Sequence, residues 1–134
     1  NGDSEFSRIA DVTIAAVVGP EVVTGSTRMK AGTAQKMILN TLSTTIMIKI
    51  GKVYQNLMVD MLPTNAKLVS RAESMVREVT GASLADARRA LEEASYNIKA
   101  AIIMISRSCD LEVALELLTK AEGVVAQALQ IPFE

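Results

Sequence analysis

The chain has 134 residues and a net charge of −1, with 14 Lys and Arg against 15 Asp and Glu; this gives no basic surface for nucleic acid or an acidic membrane. There is no His, which excludes imidazole bases, His-based triads and His metal ligands. Apolar residues make up 49% of the chain but aromatics only 3%, with no Trp, so Ala, Ile, Leu, Val and Met must fill the core, and base stacking on aromatic platforms is poorly supported.

Residues 1–10 are mixed and read as irregular. Asp11 to Val18, Asp-Val-Thr-Ile-Ala-Ala-Val-Val, is rich in β-branched residues and ends at Gly19-Pro20, which predicts a strand over 11–18. Its near-continuous apolar character suits a strand covered on both faces. No second strand is evident, so it pairs with another chain, lacks its sheet partners, or does not form.

Residues 19–29 read as a loop. A long helix is predicted over 30–57, with Ala34, Ile38, Leu42, Ile46, Ile50 and Val53 on one face and Met37, Leu39, Met47 and Ile48 on others. A helix apolar on more than one face is normally buried in an assembly, so a homodimer or higher oligomer is expected. Gly51 falls inside this helix as a weak point or a mark of close backbone contact.

After Pro63, Thr64 or Asn65 can cap a helix to about Val79, ended by Gly81. Ser83 starts a helix to about Ala94, with Asp86 as the acid at its third following position. Asn97 starts another to about Arg107, and Asp110 another to about Lys120. A last helix is expected over 122–129. Short loops make the helices from Ser83 to Lys120 a compact bundle. No internal repeat is evident.

The chemistry concentrates between Gly19 and Lys36. Two glycines, the hydroxyls of Thr24, Ser26 and Thr27, and the cations Arg28 and Lys30 precede a helix N-terminus, whose free N–H groups and partial positive charge favour an anion such as phosphate. The same composition also serves as plain strand-to-helix turn chemistry. The stretch matches neither G-x-x-x-x-G-K-[ST] nor G-x-G-x-x-G. Glu21 reads as an acceptor for a sugar hydroxyl, as a catalytic carboxylate, or as a solvated loop acid. Asp60 and Asn65 read as loop-orienting or capping groups, and Lys49 and Lys52 as solvated or interfacial. Arg88-Arg89 and Glu92-Glu93 read as weak surface pairs.

Cys109 is the single cysteine. It can form no intrachain disulfide, it suits a reducing compartment, and its setting favours a structural role. No apolar run reaches the ~18 residues of a membrane span. No signal-peptide pattern opens the chain, and no metal-ligand set or cofactor motif is found. The start at Asn1 without Met suits a processed product or a piece of a longer protein.

The run from Val18 to Asn40, with Gly51 to Asp60, Thr64 to Leu68, Thr80-Gly81 and Lys99 to Met104, closely resembles the N-acetylmuramic acid 6-phosphate etherase family. The glucokinase regulatory protein of animals shares part of the first motif. The resemblance implies a mainly α chain: the last strand and long helix of a truncated α/β sugar isomerase (SIS) domain over 1–62, then a helical tail over 63–134 resembling ubiquitin-associated domains. It implies a cytoplasmic lyase that cleaves a D-lactyl ether to give N-acetylglucosamine 6-phosphate, in cell-wall sugar recycling and without a cofactor. The family's catalytic glutamates fall upstream of this chain, so no catalytic residue is expected here and the segment alone should be inactive. Glu21, Ser26, Thr27, Arg28 and Lys30 are the expected substrate-binding residues. The alternative is a non-enzymatic module that senses a sugar phosphate.

Overall fold

A computed structural model describes residues 2–132, so Asn1 and the end of the expected tail, Phe133 and Glu134, lie outside the described residues. The chain divides into two units, Asn1–Thr45 and Ile46–Glu134.

The first unit opens with a short helix, α1 (Glu5–Ile9), where the sequence predicts irregular chain. Its cause is a reciprocal cap: the Ser4 hydroxyl accepts from the Ser7 N–H, and the Ser7 hydroxyl accepts from the Ser4 N–H. The strand expected over 11–18 is not formed. Residues 13–19 run without regular secondary structure, and among the described residues no neighbouring segment takes up their backbone groups. A strand exists only as part of a ladder, so β-branched composition alone does not make one.

Helix α2 (Ala31–Lys49) is shorter than the expected 30–57. It ends in a Schellman motif, with the Gly51 N–H donating to the Ile48 carbonyl and the Lys52 N–H to the Met47 carbonyl. Gly51 is left-handed at φ 73°. A Cβ there would lie 2.8 Å from the Gly123 carbonyl oxygen, which is the close backbone contact the sequence hinted at. No residue of α2 is buried, although the helix is apolar on several faces.

The second unit starts with a small antiparallel hairpin, β1 (Val53–Tyr54) and β2 (Leu57–Met58), pairing Val53 with Met58 and Tyr54 with Leu57. All of it but Met58 falls within the helix expected over 30–57. The bundle follows: α3 (Ala66–Thr80), α4 (Leu84–Glu93), α5 (Ile98–Arg107), α6 (Leu111–Lys120) and α7 (Val125–Ala128). The sequence-read caps of the first four hold, with the side chains of Asn65, Ser83, Asn97 and Asp110 accepting from the N–H groups of Leu68, Asp86, Ala100 and Val113. Gly81 closes α3 at φ 72°. The last helix is shorter than the expected 122–129, because Glu122 and Gly123 are left-handed and belong to the turn before it.

Helix α5 lies at the centre, packing on α3, α4, α6 and α7. Ile98 and every residue from Ala100 to Met104 are buried, as a helix surrounded by others requires. Each fully buried Ile, Leu or Val here, such as Ile102 or Leu91, contributes about 1.5–3 kcal/mol of transfer free energy.

A repeat that composition concealed emerges in this bundle. Shifted by 27 residues, Ser83 to Asp110, the caps coincide, α4 maps onto α6 and the start of α5 onto α7. The connecting turns carry the same three backbone bonds. Ser95, Tyr96 and Asn97 donate to Glu92, Leu91 and Ala94, and Glu122, Gly123 and Val124 donate to Thr119, Leu118 and Ala121.

Candidate functional site

The loop before α2 is built around its own acid. The Glu21 carboxylate accepts from the backbone N–H of Lys30 at 3.1 and 3.3 Å and from that of Ala31 at 3.0 Å. The Gly32 N–H donates to the Thr27 carbonyl at 2.8 Å. The N–H groups of Lys30, Ala31 and Gly32 are thus met by groups of the chain itself, and the helix's partial positive charge is met by a carboxylate. The Lys30 ammonium turns back to the Pro20 carbonyl at 2.8 Å, closing residues 20–30 into a ring.

Of the five expected binding residues, the structure brings Glu21 and Lys30 together. Ser26 is half-buried, its N–H donating to the Val23 carbonyl at 3.0 Å and its hydroxyl accepting from the Arg28 N–H at 3.5 Å. Thr27, Arg28 and Lys30 are exposed. The ring therefore presents a surface of hydroxyl and cationic groups beside a carboxylate. That carboxylate can accept hydrogen bonds from a ligand's hydroxyls while it holds the helix. The capping role of Glu21 was hidden by its separation from α2, which is far longer than a capping-box spacing; the legible signal was only an acid upstream of a helix start.

A second polar centre lies in the other unit. Asp60 bridges two ammonium groups, Lys52 at 2.7 Å and Lys99 at 3.3 Å. The mostly buried Lys99 also donates to the carbonyls of Gly123 at 3.2 Å and Gly51 at 3.4 Å. The Lys52 hydrogen bond and the Lys99 charge hold the Asp60 carboxyl below its ordinary value, against a raising effect of burial. This centre pins the hairpin to α5 and to the turn before α7. Asp60 thus orients neighbouring loops, one of its two sequence readings, and Asn65 caps α3.

The surface-pair reading of Arg88 is corrected by its reach across helices. Its guanidinium donates to both Glu73 oxygens, at 2.8 and 3.4 Å, and Glu73 on α3 is buried. The sequence could not show this pair, because the two residues lie on separate helices. Arg89 pairs locally with Asp86 at 2.7 Å. Burial, and then the charge of Asp110, push the Cys109 thiol up, in keeping with a structural cysteine.

Residues 55–129 match the family described as the C-terminal lid domain of glucokinase regulatory protein. The chain belongs to this family. The lid-domain match takes in β2 and all of the bundle; Asp60, Lys99 and Gly123 of the second centre lie inside it, and Lys52 and Gly51 just before it. A wider likeness covers the ring as well. A protein named N-acetylmuramic acid 6-phosphate etherase from Clostridium botulinum (strain Loch Maree / Type A3) is 53% identical over 130 residues, 97% of this chain and 43% of that protein. Proteins of the same name from Lactobacillus gasseri and Lactobacillus johnsonii are each 52% identical, over 95% and 94% of this chain and 43% and 42% of their own lengths. The resemblance read from Val18 to Asn40 is therefore shown. The chain spans less than half the length of these relatives. Among the described residues, no helix is long and apolar enough to cross a membrane.

Proposed function

We propose that this chain forms the C-terminal part of a cytoplasmic lyase that cleaves the D-lactyl ether of N-acetylmuramic acid 6-phosphate. Elimination would release D-lactate, and water addition would give N-acetylglucosamine 6-phosphate, in the recycling of cell-wall sugar. The observation that carries this reading is the 53% identity to a protein of that name across 97% of the chain, an extent that takes in the ring of residues 20–30. In this reading the ring is one wall of the sugar-phosphate site. Ser26, Thr27, Arg28 and Lys30 face the phosphate end, and Glu21 accepts from a sugar hydroxyl while capping α2. General acid and base come from outside these 134 residues, so the segment alone is silent.

A chimera tests this: the matching part of the Clostridium botulinum relative is replaced by this chain. The chimera should release D-lactate from N-acetylmuramic acid 6-phosphate, and the 134 residues alone should release none. In the chimera, Ser26→Ala should raise KM about tenfold with a smaller change in kcat, the loss of one charge-assisted hydrogen bond. A folded chimera that binds N-acetylglucosamine 6-phosphate but forms no lactate would favour the alternative, a sugar-phosphate-sensing module. That alternative draws its support from the lid-domain match to a regulatory protein.

A further inference from the structure

The two equivalent turns of the bundle differ at one telling place. In the α6–α7 turn the second left-handed residue is Gly123, at φ 79°; in the α4–α5 turn it is Tyr96, at φ 62°. Glycine adopts this conformation freely, whereas a bulky side chain there is an outlier. The result in the first turn is that a half-buried tyrosine stands at the edge of a cleft of about 390 Å³, lined also by Lys52, Asp60, Met61, Leu62 and Asn97. A cavity of this size suits a small molecule.

The polar groups of the cleft define what it would accept. Both Asp60 oxygens are taken, one by Lys52 at 2.7 Å and one by Lys99 at 3.3 Å. Two ammonium groups therefore stand against one carboxylate, which leaves a single positive charge in excess. The Lys52 ammonium has three N–H donors, and Asp60 is its one partner among the described residues. Asn97 spends its side-chain oxygen on the Ala100 N–H at 3.1 Å, which leaves its amide N–H₂ as donor. Met61 and Leu62, with Val59 and Ile98, supply an apolar wall.

We propose that this cleft binds a small monocarboxylate with a short apolar stem. The carboxylate lies against Lys52 and Asn97, and the stem against Met61 and the Tyr96 ring. One excess charge matches a monoanion better than a phosphate dianion, and the apolar wall requires a stem. The site lies wholly within residues 46–134 and does not depend on the role of the ring before α2.

Sodium butyrate titrated at constant ionic strength into the 134-residue chain, followed by amide NMR shifts, provides the test. Saturable shifts are expected at Ser95, Tyr96 and Asn97. Lys52→Gln should weaken binding about tenfold, the loss of one hydrogen bond to a charged group, and Lys52→Arg should retain it. Tyr96→Gly, which copies the sibling turn, should keep the fold by circular dichroism and bind more weakly. The proposal is overturned if butyrate gives no saturable shift, if Lys52→Gln binds as the parent does, or if inorganic phosphate gives the same shifts at lower concentration.

Discussion

Glu21 and Asp60 do different work with the same functional group. Glu21 meets backbone N–H groups at a helix start, while Asp60 meets two ammonium groups and so ties three segments together. The second arrangement makes stability depend on pH with a definite sign. The unfolded Asp60 carboxyl titrates near its ordinary 3.8, and the folded one lies lower. The stability it contributes is complete above the unfolded value and is lost as pH falls through the folded value. Urea midpoints of the parent and of Asp60→Asn, measured from neutral pH down through the carboxylate range, should therefore differ most at neutral pH and converge in acid. A gap that stays constant would rule out Asp60 as an ionised link. At this scale the sequence was legible for groups acting locally: Asn65, Ser83, Asn97 and Asp110 all cap where they were read to cap. It was not legible for Glu73 with Arg88 or Lys99 with Asp60, whose partners lie on other elements.

Helix ends were legible where a single residue type forces them, and Gly51 shows the limit. Its left-handed backbone ends α2, but the helical period of apolar residues continues past it into Val53, which lies in the hairpin. Two-residue strands are too short to display a period of their own, so the periodicity of α2 claimed them. Two glycine substitutions separate backbone conformation from packing. Gly81, at φ 72°, has open space where a Cβ would stand, so Gly81→Ala should cost about 1 kcal/mol from conformation alone. Gly51→Ala adds contact with the Gly123 carbonyl oxygen and should cost about 2 kcal/mol or more. Equal denaturation midpoints for the two variants would refute the close approach. The repeat escaped notice for a related reason. Its matching positions are Leu84 with Leu111, Ala87 with Ala114, Leu91 with Leu118, Ala94 with Ala121 and Ala101 with Ala128. These are the commonest helix residues, and the turn residues 95–97 and 122–124 differ in every side chain.

Across the whole molecule, the apolar residues sort into two populations. Most of those in the bundle are buried, including Ile98, Ile102 and Ile103, with Leu84 and Leu115 among the exceptions. Those of α2 are not: Met37 is 65% exposed, Leu39 58% and Ile46 53%. Exposed apolar surface of this extent drives association, and we propose that the isolated chain forms a dimer or higher oligomer through α2. Sedimentation velocity over a range of concentrations should show mass increasing with concentration, and Met37→Lys combined with Leu42→Glu should return the chain to monomer. A parent that sediments as a monomer throughout would sink this reading.

Caps, helix-ending glycines and the helical period of apolar residues are local properties, coded within a few neighbouring positions, and they determined the bundle from Asn65 to Lys120. The absence of His and the scarcity of aromatics likewise bounded the chemistry before any coordinates. Tertiary structure decided what depends on a distant partner. It left 11–18 unpaired, made Glu21 the cap of α2, and set Gly51 against Gly123. It also joined Asp60 to Lys52 and Lys99. A strand, an ion pair between elements and a close backbone approach are each defined by two segments, and neither segment carries the other's position in its own residues.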